Sequence, residues 1–249
     1  MKRLLFYVLL VLLWQLLCLA GFWADFLFPS PLDVGKNLLF GFGEGEYFLA
    51  VLWSLKRVFQ GYFLSLMIGI PLGILNGKFL LARQTLGSLV SGLQSLPSIC
   101  WLPLSLLWFG LNERAIIFVV FMGAIFSVSG AAEDGVRNVQ PLYLKAAKTM
   151  GADGLRLLGN VVLPASMPAI FTGMKLGWSF AWRSLMAGEL LASGTGLGQV
   201  LMMGRDMADM SQVIAVMLII ALSGLSLDRL FFFCFEKRLR EKWGLEETL

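Results

Sequence analysis

The chain has 249 residues, of which 58% are hydrophobic and only 14% are charged, and its formal net charge is +4. Soluble domains carry about 25% charged residues, so the composition excludes an ordinary soluble domain and favours a multi-pass membrane protein. The chain has no histidine, the most common general base and metal ligand. The sequence therefore predicts no catalytic residue, no cofactor, no metal site and no nucleic-acid partner.

Six apolar segments are long enough to cross the roughly 30 Å hydrocarbon core of a bilayer. They cover residues 4–23, 58–77, 86–109, 114–132, 168–191 and 212–235. The first is about 20 residues long, which favours a retained span over a signal peptide. The third contains Pro97 and Pro103, and we expect it to be kinked or broken and to face protein or a cavity. The predicted fold is an all-α, polytopic helical bundle that forms one domain over residues 1–249.

The segment between the first two spans, residues 24–57, begins with an extended Pro-Ser-Pro at 29–31. Residues 46–57 allow two interpretations. They form either a short amphipathic helix on the membrane surface or an extension of the second span.

Lysine and arginine set the orientation, because cytoplasmic loops carry an excess of both. With the N-terminus inside, twelve lie in the inner segments and five in the outer ones. The outer five are Lys36, Lys56, Arg57, Arg114 and Arg205. This distribution predicts that both termini and the polar segment 133–167 lie on the cytoplasmic side of the membrane.

The polar segment contains two short helical patterns at 141–164. Pro141 suits a first helical turn, and an apolar face follows it, made of Leu142, Ala146 and Met150. Gly151 is expected to end this helix in a left-handed conformation. Asp153 is expected to cap the second helix.

The second helix has its own apolar face, made of Leu155, Leu158 and Val162. Pro164 and Pro168 are expected to stop it and to begin the fifth span. Two stiff helices on the cytoplasmic side predict a docking surface for a soluble partner.

The fifth span carries charges that a bilayer disfavours. A charged residue at the centre of a membrane helix costs about 2.5–3.5 kcal/mol, so such residues tend to pair or to line a pathway. Arg183 is either part of an anion path or a structural partner of Asp228 or Glu189. Glu189 is expected in helix packing or an outer gate, and Trp178 in a core or a path. Gly173 and Gly177 form a GxxxG pattern for close helix packing, within one subunit or between two.

The glycine-rich segments do not match a phosphate-binding loop. GTGLGQ at 194–199 lacks the Lys-Ser/Thr pair, and GILNGKF at 73–79 has the wrong spacing. The sequence therefore predicts that ATP hydrolysis, where this chain depends on it, takes place in a separate protein.

The 141–164 pattern resembles the EAA loop of the permease subunits of ATP-binding-cassette importers. Ala146 and Ala147 match its alanines, Gly151 its glycine, and Val162, Leu163 and Pro164 its ending, whereas Lys145 stands at the glutamate position. Further pieces follow in the same order, including SLPSICWLPLSLLWFGL at 95–111, AGELL at 187–191 and LSLDRL at 225–230. Over some 200 residues the chain is most similar to permeases for sulfonates, taurine and nitrate.

This resemblance implies a type I importer permease, two copies of which form the translocation pathway, with two ATPase subunits and an extracytoplasmic solute-binding protein as partners. It implies a homodimer surrounded by membrane lipid, in the inner membrane of a bacterium. It also implies that the loop docks in a groove of the ATPase. The coupling residues would be Lys145, Ala146, Ala147, Met150, Gly151, Ala152, Asp153, Leu163 and Pro164. The candidate path or gate residues are Trp178, Arg183 and Glu189.

Two other classes of function remain as alternatives. A stand-alone secondary transporter would need an internal repeat and ion-coupled buried charges, and no repeat is evident. An intramembrane enzyme would need a nucleophile and base, or paired carboxylates, at membrane depth.

Overall fold

The computed structural model describes residues 2–22, 24, 26–191 and 194–243, and the side chains of these residues from 5 to 232. Every regular element in this part of the chain is a helix. The α-helices are α1 Lys2–Leu19, α2 Pro31–Gly43, α3 Glu46–Lys78, α4 Leu80–Ala82, α5 Ser88–Gln94, α6 Leu102–Phe109, α7 Glu113–Arg137, α8 Pro141–Thr149, α9 Gly154–Leu157, α10 Leu163–Leu191, α11 Leu197–Asp206 and α12 Met210–Trp243. Two π-helical turns, Arg83–Gly87 and Leu158–Val162, and a 3₁₀ helix, Ser98–Trp101, connect some of them.

Four helical runs within the described residues are long and apolar enough to cross a membrane. They are Glu46–Lys78, Glu113–Arg137, Gly154–Leu191 and Met210–Phe232. A bent pair, Leu80–Gln94 with Ser98–Phe109, gives a fifth crossing if it is counted as one span. The apolar part of α1, Leu5–Leu19, is shorter, and residue 23, the predicted end of the first span, lies outside the described residues. The arrangement of six spans therefore remains a prediction.

The second predicted span is longer than expected, because α3 runs without interruption from Glu46 to Lys78. Residues 46–57 are thus an extension of that span and not a separate surface helix. The separate helix of this region is α2. It begins at Pro31 after Ser30, whose hydroxyl accepts a hydrogen bond from the Asp33 amide at 3.2 Å. Hydrogen bonds from Ser30 and Lys36 hold the pKa of the Asp33 carboxyl below its usual value.

The third predicted span is broken, as its prolines indicate. The helix ends at Gln94, the chain turns through Ser95–Pro97, and the two halves meet at 102°. Pro97 precedes the second half and Pro103 sits in the first turn of α6, where its missing amide hydrogen costs nothing. Only one of the two prolines therefore breaks the helix.

Helix α7 lies at the centre of the bundle, between α3 and α10. Glycines allow these close approaches, since a Cβ at Gly73 would lie 2.2 Å from the Ser129 carbonyl oxygen. A Cβ at Gly173 would lie 2.2 Å from the Ala131 Cβ. The GxxxG pattern of Gly173 and Gly177 therefore packs on α7 within one subunit.

The way the helices pack gives the bundle two ends. The end that contains Lys78, Arg137 and the segment 141–163 is called the loop end. The end that contains Glu46, Glu113 and Leu191 is called the opposite end.

The prolines of the fifth span do not act as predicted. Pro164 and Pro168 lie inside one helical run from Gly154 to Leu191, so the prediction that they stop one helix and start another was wrong. The π-helical turn Leu158–Val162 comes just before them. Locally widened turns and threonine side chains satisfy the backbone groups that a proline frees. The Thr172 hydroxyl donates to the Pro168 carbonyl oxygen at 3.0 Å, but the carbonyl that Pro168 leaves without a helical donor is that of Pro164.

Candidate functional site

Two polar regions of the bundle stand apart from its apolar core: a buried charge network at the opposite end and the exposed segment at the loop end. The network centres on Glu189 of α10, whose side chain is fully buried. Arg57 of α3, only 1% exposed, donates from Nη1 to Glu189 Oε1 at 2.9 Å. A buried charge needs such a partner, because removing it from water costs several kcal/mol.

Neutral donors complete the coordination of the Glu189 carboxylate. The Ser54 hydroxyl lies 2.9 Å from Oε1 and 2.8 Å from Oε2, and the Gly198 amide donates to Oε2 at 3.0 Å. The Ser54 oxygen in turn accepts a hydrogen bond from the Leu197 amide at 2.9 Å. A Cβ at Gly198 would lie 2.5 Å from the Glu189 Cβ, so the fit requires glycine there. The carboxylate thereby holds the start of α11 against α3 and α10.

Arg57 extends the network to two further parts of the chain. It donates to the Thr195 carbonyl oxygen, and its Nη2 lies 3.1 Å from Glu113 Oε1 at the start of α7. Lys56 reaches the same Glu113 carboxylate at 3.7 Å, on the exposed side. One buried arginine thus connects α3, α7, α10 and the segment before α11.

Sequence reasoning missed Arg57 as a functional residue and counted it as an outer loop charge. The pairing suggested for Glu189 was wrong in its partner, which is Arg57 and not Arg183. A signal did exist: Ala50, Ser54, Arg57 and Gly61 recur at helical spacing and are all buried on one face of α3. That spacing shows that these residues share one face of a helix. It does not show that this face contacts Glu189.

The other two candidate path residues lie on α10 without meeting Glu189. Trp178 is buried in the core, with its ring 5.2 Å from that of Tyr62 and 5.3 Å from that of Phe59, so packing explains its position. Arg183 is exposed, with its guanidinium 5.7 Å from the centre of the Phe180 ring. It lines a groove of about 420 Å³ between α10 and α12 together with Asp228, but forms no ion pair with it within the described residues.

The exposed segment at the loop end is a compact helix–turn–helix. Gly151 has φ +81°, the left-handed conformation that the sequence predicts at the end of α8. Its amide donates to the Lys148 carbonyl oxygen, and the Ala152 amide to that of Ala147, both at 3.0 Å. This pair of bonds is a Schellman motif, which satisfies carbonyl groups at the end of a helix.

Asp153 does not cap α9 as predicted. It occupies the N-cap position with extended backbone, but its side chain accepts no hydrogen bond there. Its carbonyl oxygen accepts from the Arg156 amide at 3.1 Å instead. Gly154, with φ +57°, enters the helix in a left-handed conformation, and this second turn was not anticipated.

The side chains of this helix–turn–helix divide into an anchored face and a free face. Ala147 is buried, and α8 contacts the π-helical turn Leu158–Val162 and α9. Ala152 and Leu163 are half-buried, whereas Lys145, Ala146, Asp153 and Pro164 are exposed. Leu142 is 69% exposed, Met150 81% and Leu155 80%. The apolar face predicted for the first helix is thus exposed, whereas of the second predicted face only Leu155 is exposed and Leu158 and Val162 are half-buried.

The described residues contain no group of three or more acidic or cysteine side chains placed to hold a metal ion.

A family model described as "Binding-protein-dependent transport system inner membrane component" matches residues 65–241. A putative ABC transporter permease protein of Methanocaldococcus jannaschii is 41% identical over 188 residues, covering 75% of this chain and 70% of the relative. The taurine transport system permease protein of Escherichia coli is 31% identical over 199 residues, covering 78% and 72%. Other relatives carry the names of nitrate import and aliphatic sulfonates transport permeases.

A solved structure of the methionine ABC transporter MetNI in an inward-facing conformation has the same fold. It superposes with a TM-score of 0.65 at 20% identity, covering 77% of this chain and 94% of the other. The likeness identifies a type I ABC importer permease fold and, at this identity, carries no information about the solute.

Proposed function

Because this chain belongs to the family of binding-protein-dependent transport system inner membrane components, a family of multi-pass membrane permeases, we propose that it forms half of the translocation pathway of an ATP-driven importer. A second copy of the chain supplies the other half. Two ATPase subunits supply the energy, and an extracytoplasmic binding protein delivers the solute. The chain itself serves as the transport subunit.

The observation that carries this proposal is the exposed apolar face at the loop end. Leu142, Met150 and Leu155 are exposed at the loop end, in a segment that also carries Lys145 and Lys148. Apolar residues that cluster on a water-facing surface usually mark a site where another protein binds. We propose that this face of α8 and α9 docks in the ATPase, with Lys145 at the rim of the contact.

The same segment is built to transmit force. The helical run from Gly154 to Leu191 has 38 residues, which corresponds to about 57 Å at 1.5 Å per residue. It begins beside α8, and its last turn carries Glu189 of the buried charge network. A displacement of α8 by the ATPase would therefore act directly on the opposite end of the bundle.

The proposed orientation places the loop end and both termini in the cytoplasm. The excess of lysine and arginine in those segments favours it. ATP is then on the side of α8, and the Glu189 network is on the outer side, where it belongs to the structure of an outer gate rather than to solute contact. Trp178 belongs to the core behind the gate, and Arg183 remains a proposed contact for an anionic solute or for the second copy.

The proposed solute is a small anion or zwitterion of the sulfonate, taurine or nitrate type. The names of several relatives support it. The family resemblance of the sequence points to the same class.

Reconstitution into proteoliposomes tests the proposal. The tagged chain is purified in mild detergent with its ATPase, and uptake of labelled taurine, nitrate or methanesulfonate is measured with the binding protein outside. We expect uptake only when ATP, the ATPase and the binding protein are all present. Uptake driven by an ion gradient with the purified chain alone would support a secondary transporter instead.

A further inference from the structure

The break in the third predicted span forms one wall of a cavity without charged lining residues. Gln94, Ser95, Leu96, Pro97 and Ser98 line it from that side. The facing walls come from α7, through Met122, Gly123, Phe126 and Ser127, and from α10, through Phe180. Its volume is about 230 Å³. Three separate helical segments therefore meet around one space.

A broken helix at membrane depth is tolerated only where it is buried in protein or lines a water-filled cavity, because lipid cannot satisfy the freed backbone groups. Transporters with discontinuous helices place their solute sites at such breaks. The position of this cavity, between the break and the central helix α7, therefore fits a pathway and not a packing defect.

The lining is neutral and mixes apolar with polar residues. The apolar ones include Met122, Phe126 and Phe180, and the polar ones are Gln94, Ser95, Ser98 and Ser127. No lysine, arginine, aspartate or glutamate lines the cavity, and Arg183 and Glu189 are both outside it. The side chains of Gln94, Ser98 and Ser127 form no hydrogen bonds within the described residues, so their donors are free for a ligand. The Ser95 hydroxyl already donates to the Gly92 carbonyl oxygen at 2.7 Å.

The back wall of the cavity is rigid. A Cβ at Gly123 would lie 2.0 Å from the Ser184 Oγ, so the α7 backbone packs directly against the Ser184 side chain of α10 behind the cavity. Ser184 is itself tied to the Phe180 carbonyl oxygen at 2.7 Å. Ser127 is therefore held on a fixed surface, whereas Gln94 and Ser98 approach it from the broken span.

We propose that this cavity is the solute-binding subsite of the permease, and that it holds a small solute through acceptor oxygens, such as those of a sulfonate or nitrate group. This inference rests on the proposed importer function. Amide and hydroxyl donors of Gln94, Ser98 and Ser127 would contact the oxygens. Ligand pockets usually have about 300–1,000 Å³, so the smaller volume here selects solutes of few atoms. Because no charged side chain in the cavity pairs with the solute, binding stays weak enough for release, as passage through a membrane pathway requires.

Cysteine accessibility tests whether the cavity is part of a water-filled pathway. The three native cysteines are replaced by alanine, and Ser127→Cys is introduced. Membrane vesicles that contain this variant are treated with methanethiosulfonate ethylsulfonate. This reagent carries a sulfonate group, so it also probes the proposed class of ligand. The matched control is Ser65→Cys, because Ser65 is fully buried in α3 and its hydroxyl donates to the Tyr62 carbonyl oxygen at 2.6 Å. We expect at least roughly tenfold faster modification at position 127 than at position 65. Equal rates would overturn the proposal.

Uptake kinetics test which groups bind the solute. Ser98→Ala and Ser127→Ala each remove one hydrogen-bond donor, and each is expected to raise the KM for uptake of taurine, nitrate or methanesulfonate roughly tenfold. Ser105→Ala is the control, because that buried hydroxyl donates to the Leu102 carbonyl oxygen outside the cavity. If both cavity variants show ATP-driven uptake with an unchanged KM, the proposal that the cavity binds the solute is wrong, while the proposed importer function stands. If wild-type complex imports none of the three solutes, the labelling comparison still decides the cavity.

Discussion

Replacing Arg57 with methionine is expected to destabilise the folded chain by about 3–5 kcal/mol, the range for breaking a buried ion pair from one side. The substitution leaves the Glu189 carboxylate fully buried with only neutral donors, and it frees the Thr195 carbonyl oxygen. It also separates α3 from Glu113 of α7. Equilibrium unfolding in detergent, followed by circular dichroism, measures the loss.

Two further variants make this result specific to the buried pair. Arg205→Met removes an exposed pair in which Arg205 lies 2.8 Å from Asp206, and we expect a change of no more than about 1 kcal/mol. The double variant Arg57→Met/Glu189→Met removes both charges and is expected to be more stable than Arg57→Met alone. If Arg57→Met is as stable as Arg205→Met, the network does not hold the opposite end together.

Replacing Gly151 with valine is expected to separate ATP hydrolysis from solute uptake while the chain still inserts and folds. A residue with a Cβ pays roughly 1–2 kcal/mol in the left-handed region, which corresponds to a factor of about 5–30 in the population of the native turn. No atom lies within 4 Å of a Cβ built at Gly151, so the effect comes from the backbone and not from a clash. Uptake and ATPase activity are measured together in proteoliposomes.

Two controls separate backbone conformation from side-chain size. Gly159→Val adds the same side chain in the same segment, at a position with open space and without a positive φ, and we expect coupled uptake to continue. Gly151→Asn places a residue that tolerates the left-handed region, and it is expected to retain most of the coupling. Normal coupling in Gly151→Val would contradict the docking role of this turn.

Local sequence patterns predicted much of the helical structure, because they depend on neighbours along the chain. The apolar spans, the break near Pro97 and the left-handed Gly151 all follow from periodicity and from residues with few allowed conformations. The same rules failed at Pro164 and Pro168. There the helical run continues through both prolines after the widened turn Leu158–Val162, and nothing in the sequence marks such a turn.

Contacts between distant parts of the chain could not be predicted from the sequence. Arg57 and Glu189 are 132 residues apart, and their pairing depends on how α3 and α10 meet at the opposite end. The length of α3 hid the pair as well, since Arg57 falls outside the most apolar stretch, where it resembles a loop charge. The cavity at the break was equally hidden, because Gln94, Ser98 and Ser127 come together only through the 102° bend.

Cross-linking from the loop end tests the importer function most directly. Met150→Cys is introduced into a chain without its native cysteines. In the assembled complex, this cysteine is labelled with a photoactivatable cross-linker through a maleimide group. Leu107→Cys, equally exposed but on α6 towards the opposite end, is the matched position. We expect illumination to join the ATPase to position 150 and not to position 107. An ATPase adduct at position 107, or none at position 150 in a complex that hydrolyses ATP, would contradict the coupling of this permease through α8.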